Sequence, residues 1–144
     1  MKKMYIFILL YINLILFDIR LNRRGFNELF SNYSLRYEYP KQLRQVNFTD
    51  SRLKKEIETF FEIMDVAIAW YPRKADCLHK TLLGYRYLRK KFSIPVYMVV
   101  GVRKFPFEAH AWLKIENDDF FDSEIDTSYL QIILNSNNIV RLGK

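Results

Sequence analysis

Cysteine, histidine, glycine and proline are all scarce in this chain, and each scarcity removes a class of answer. With one cysteine, Cys77, no internal disulfide can form. With only two histidines beside it, no convincing zinc-type ligand set can be assembled, and neither a metal nor another cofactor is expected. Such cysteine usage fits a reducing, cytoplasmic compartment. Four glycines and four prolines in 144 residues leave little room for flexible linkers or low-complexity tails. No repeat recurs at solenoid periods.

What remains is half hydrophobic and long enough for one compact domain over residues 1–144. Within it, 1–70 reads as a helical subregion and 71–144 as a catalytic core. The balance of 23 basic against 16 acidic side chains leaves a net charge of +7. That favours an acidic partner, whether a carboxylate-rich peptide, nucleic acid or an anionic membrane surface, and charge alone does not choose among them.

The amino terminus, Met1-Lys2-Lys3 followed by MYIFILLYINLILF, has the outline of a secretory signal. Against export stand Asn13 inside the run, the closing charges Asp18, Arg20, Arg23 and Arg24, and the lack of a small-x-small cleavage site. The run also falls short of the ~20 apolar residues of a spanning helix. A buried or membrane-touching helix is expected. Ile8, Ile12, Ile15 and Ile19 recur at helical spacing, yet most other positions are apolar too, so the helix should be covered nearly all round.

Arg23-Arg24-Gly25 marks a break, Phe26 to Tyr33 a short continuation, and 31–48 an irregular connection. Thr49-Asp50-Ser51 supplies cap chemistry for an amphipathic helix bearing Leu53, Ile57, Phe60, Phe61, Met64 and Ile68, ending before Tyr71-Pro72. A third helix is expected from about Asp76 to Lys91. Beyond Pro95 the pattern turns extended. VYMVVGVR reads as a strand covered on both faces, HAWLKI as a second with His110 and Trp112 on one side, Asn117-Asp118 as a hairpin turn and DFFDSEI as a third strand. Residues 126–144 suit a final short helix or strand. Helices followed by an antiparallel sheet make an α+β plan.

Chemistry concentrates at three places. Cys77 opens the third helix, so its sulfur would lie beside unsatisfied N–H groups at the positive helix end, which favours a thiolate. Arg73 and Lys74 would add to this, and Asp76 would oppose it unless its carboxylate caps the helix. A small buried cysteine is the plainer alternative. His110, in an apolar strand, could take the thiol proton and return it to a leaving amine; otherwise it is a core histidine satisfied by a carbonyl. His79 lies two residues past Cys77, a spacing that turns it away on a helix, and it reads as a surface residue. A carboxylate to orient His110 would come from Asp118, Asp119, Asp122, Glu124 or Asp126. A two-residue turn puts His110 on the face of the odd-numbered residues of the next strand, whereas an odd-length loop or a bulge brings Asp122 there. The third member stays open at this level, and such a cluster also reads as a solvated edge that blocks aggregation.

The stretch DCLHKTLLGYRYLRKKFSIPVYMVVGVRKFPFEAHAWLKI resembles the core of the lasso-peptide B proteins, transglutaminase-like cysteine peptidases that remove the leader from a precursor peptide. The likeness lies in Cys-Leu opening a helix with a Leu-Leu and a basic end, a strand ending Val-Gly-Val-Arg, Pro-Phe before Ala-His-Ala-Trp, and an aspartate twelve residues after the histidine. Asp76 departs from it, since many relatives carry a basic residue before the cysteine. The resemblance implies a transglutaminase/papain-like core, with Cys77 as nucleophile, His110 as base and Asp122 as orienting carboxylate. Its implied partners are the leader of a ribosomally made precursor, a separate winged-helix recognition protein and a lasso cyclase, with no nucleic acid. Weak membrane contact through the first helix is a further expectation. The alternatives are acyl transfer to an amine on the same scaffold, or a non-catalytic protein that docks on a membrane or partner.

Overall fold

A computed structural model describes residues 1–37, 50–120 and 126–142. Helix α1 (Lys2–Arg24) meets α2 (Phe26–Arg36) at Gly25, whose φ of 78° is open to a residue without Cβ. Helix α3 (Ser51–Trp70) begins where the Asp50 carboxylate accepts the Arg52 and Leu53 N–H groups, and it stops before Tyr71-Pro72, as expected. Helix α4 (Cys77–Tyr87) runs on through a wider π-type turn, Leu88–Phe92, and ends at Ser93 in the left-handed region. Strands β1 (Tyr97–Arg103), β2 (Glu108–Ile115), β3 (Asp118–Phe120) and β4 (Gln131–Asn135) form one antiparallel sheet in the order β3-β2-β1-β4, followed by α5 (Ser136–Leu142). This is the expected α+β architecture, with helices on a small antiparallel sheet.

Alternation along the two central strands divides the molecule. Met98, Val100, Ala111 and Leu113 face the helices and share a core with Leu82, Leu83, Phe61 and Met64. Val99 and Trp112 face the other way, where Leu130 covers them, so β1 is apolar on both parities for the reason anticipated. Each fully buried Val, Leu, Met or Phe side chain among them contributes about 1.5–3 kcal/mol. Gly84 lets α4 approach closely: a Cβ there would lie 3.0 Å from the Phe61 ring and 3.3 Å from Leu113.

Four expectations need correction. Residues 31–36 are helical, because Phe30, Tyr33 and Ser34 belong to the buried face of α2; Tyr37 follows in a turn, and the rest of the connection, 38–48, lies outside the described residues. Helix α1 is covered on one side only: Leu10, Leu14 and Phe17 are buried, while the isoleucine series Ile8, Ile12, Ile15 and Ile19 faces outward. The β2–β3 turn is Glu116-Asn117, since Ile115 pairs with Asp118. Residues 126–142 supply both a strand and a helix, β4 docking on the free edge of β1.

Candidate active site

The site is built where the start of α4 meets β2. Asp76 caps the helix, its Oδ1 accepting the Leu78 N–H at 3.1 Å, and His79 closes the reciprocal half of the cap as its Nδ1 accepts the Asp76 N–H at 3.3 Å. The Asp76 carboxylate is therefore spent on the backbone. One turn further on, Thr81 Oγ1 donates to the Ala111 carbonyl at 2.9 Å, a buried bond that pins the helix to the strand beside His110. The result is one small cavity, about 40 Å³, lined by Cys77, Thr81 and His110 with Phe61, Leu113 and Phe120 as apolar walls. Cys77 and His110, 33 positions apart in the sequence, thus both border this cavity, while the His110 ring stacks on Trp112, whose face of the sheet is turned from the helices. Lys80 also borders the cavity, with its ammonium drawn 2.8 Å from Asp65.

His110 stacks on Trp112, the rings 5.6 Å apart and 14° from parallel, which places both on the same face of β2 as the alternation required. Trp112 is held in turn. Its Nε1 donates to Asp119 Oδ1 at 2.9 Å, Thr127 Oγ1 donates to Asp119 Oδ2 at 2.6 Å, and Lys114 Nζ stands 3.0 Å from Oδ1. Burial pushes the Asp119 carboxyl up, but the hydrogen bonds from Thr127, Lys114 and Trp112 outweigh it and hold the group below the ordinary carboxylate range. Asp119 is thus no solvated edge. It follows the odd-numbered parity of a two-residue turn, so the odd-length loop or bulge that would bring Asp122 to the histidine's face is not present at 116–118. Asp122 itself, with Glu124, lies outside the described residues.

Reading His79 as a surface residue is corrected too. It is 4 % exposed, and its Nε2–H donates to Asp18 Oδ1 at 2.8 Å. Helical spacing does turn it from Cys77, but toward α1 instead of water. Asp18 also accepts the Tyr71 hydroxyl at 2.8 Å and has Arg73 Nε 3.4 Å away, so the charge of Arg73 is directed at Asp18. Burial raises the Asp18 carboxyl, yet the bonds from His79 and Tyr71 and the charges around it lower it overall; the same burial and bond push the Tyr71 hydroxyl up to about 12. The one signal for this cluster in the sequence was a lone acid in an apolar helix, which must find a partner when buried.

Among the described residues no group of three or more His, Cys, Asp or Glu is placed to hold a metal ion. A family model described as the transglutaminase-like superfamily matches residues 14–135, from the second half of α1 to the end of β4. No curated protein and no solved structure gave a match.

Proposed function

The chain belongs to the transglutaminase-like superfamily, and from that premise we propose that it is a cysteine peptidase that removes the leader from a ribosomally made lasso precursor, using Cys77, His110 and Asp122. The observation that carries this reading is a small cavity bordered both by the only cysteine, at a helix start, and by the strand histidine. The resemblance over residues 76–115, with its aspartate twelve residues past the histidine, supports the substrate class and the third member.

His110 takes the Cys77 proton, and the thiolate attacks the carbonyl of the last leader peptide bond. Negative charge developing on that oxygen is met by the Cys77 N–H at the start of α4, where preorganised donors are worth about 3 kcal/mol each. The imidazolium, stacked on Trp112 and supported by Asp122, returns its proton to the departing amine. Water then attacks the thioester with His110 as base, freeing the leader carboxylate and the thiol. A leader-recognition protein and a cyclase act as separate partners, the first raising the local concentration of the leader.

The test is to incubate the full chain with a precursor peptide and the recognition protein, and to weigh the products. Release of leader and core by the native chain, lost in Cys77→Ala and after alkylation of Cys77, is the expected result. Cleavage that survives Cys77→Ala overturns the reading, and an amine-linked leader in place of the free carboxylate replaces hydrolysis by acyl transfer.

A further inference from the structure

The outward face of α1 is an apolar strip with a cationic border. Ile8, Ile12, Ile15 and Ile19 follow one another at successive turns, each between 41 % and 50 % exposed, and the strip continues to Met4 and Tyr5. Of seventeen exposed large hydrophobic residues among the described ones, nine fall between Met1 and Ile19. An exposed apolar area that concentrated marks a surface meant to be covered. Lys2 and Lys3 stand at one end and Arg20, Arg23 and Arg24 at the other; the only acid of the helix, Asp18, is turned inward onto His79 and Tyr71.

Beside the carboxy-terminal end of this strip a cleft of about 330 Å³ lies between α1 and α2. Arg20, Arg24 and Arg36 line it with Asn32, Tyr33 and Tyr37. Three guanidinium groups around a cleft of this size form a receptacle for a phosphate, which their fork of donors matches. Among the described residues, Glu28, 3.5 Å from Arg24, is the acid in contact with the set.

We propose that α1 docks this protein on an anionic bilayer, its axis in the plane of the interface, the isoleucine strip in the acyl boundary and a lipid phosphate in the arginine-lined cleft. Two rival arrangements fit the molecule less well. A helix crossing the bilayer would have to withdraw Leu10, Leu14 and Phe17 from the core and carry Asp18 into hydrocarbon without His79. A second copy packed strip to strip would bring together two cationic borders on molecules that each carry +7. An anionic lipid surface instead neutralises the border while covering the strip. This inference is independent of the peptidase reading.

The full chain would be floated with vesicles of phosphatidylglycerol and phosphatidylcholine, and with vesicles of phosphatidylcholine alone. Binding to the anionic vesicles about tenfold tighter is expected, weakening as salt shortens the Debye length from about 10 Å to about 3 Å. Ile12→Glu with Ile15→Glu, both at exposed positions, should reduce that binding about tenfold with an unchanged melting temperature. Arg24→Gln with Arg36→Gln should abolish most of the preference for the anionic lipid. Failure to bind either vesicle, equal binding to both, or indifference to these variants overturns the proposal. So does a dimer in sedimentation velocity that Ile12→Glu disperses, with no vesicle binding by the native chain.

Discussion

His79 Nε2 lies 2.8 Å from Asp18 Oδ1, a buried bond across 61 positions that fastens the turn carrying Cys77 to the amino-terminal helix. Because His79 Nδ1 also accepts the Asp76 N–H, one imidazole orders both the helix cap and the contact with α1.

Asp18→Asn should therefore keep the shape of the cluster but lose about 2 kcal/mol, the usual worth of hydrogen bonds to a charged group. The Asp18 carboxyl is held below its ordinary value of 3.8, so its stabilisation is present above that value and is lost as pH falls through the lower folded one. Melting temperatures of the native chain and Asp18→Asn should differ at neutral pH and converge below about pH 4. A constant difference down to acid pH would contradict this.

Tyr71, raised to about 12, works in the opposite direction. Its contribution is complete below its ordinary value of 10.0 and fades as pH climbs from there toward the folded value. In Tyr71→Phe, that alkaline loss of stability should be absent.

Thr81→Val removes the bond to the Ala111 carbonyl while nearly conserving volume. Leaving that buried acceptor without its partner should cost about 1–2 kcal/mol. Since the bond fixes α4 against β2 between Cys77 and His110, kcat for precursor cleavage should fall more than KM rises. Equal effects on both would mean that Thr81 supports only the fold.

Asp119→Asn and Asp122→Asn should separate stability from chemistry. Asp119 holds Trp112, Thr127 and Lys114, so its loss should lower the melting temperature by the equivalent of about 1–2 kcal/mol. Asp122→Asn should melt like the native chain and lower kcat. Kinetics in which Asp119→Asn is the variant that loses turnover at full stability would move the orienting role to Asp119.

Gly101→Ala tests the support of His110 from the other side. A Cβ at this position would come 2.9 Å from Trp112 Cη2 and 2.9 Å from Leu130 Cβ, too close for either to stay in place. Overpacking of this kind costs about 1–3 kcal/mol. With Trp112 displaced from beneath His110, loss of cleavage should accompany the lower melting temperature.

Local pattern in the chain was enough for the α+β plan, the Asp50 and Tyr71-Pro72 limits of α3, the helix opening at Cys77, and His110 beside Trp112 on β2. Each depends on periodicity or on residues close in sequence. Register and partner choice were settled elsewhere. The turn at Glu116-Asn117 kept the parity of a two-residue turn and so left Asp119 on the face of Trp112; what the sequence suggested as a solvated edge is occupied there by Trp112, Lys114 and Thr127, partners that parity alone does not name. Spacing turned His79 from Cys77 without saying what lay opposite; the packing of α1 supplied Asp18, and burial made their pairing obligatory. Hydropathy likewise marked α1 as a helix to be covered nearly all round, but only its contacts with α3 and α4 could show which side the fold covers, since a helix apolar on most faces carries no instruction about which one to bury.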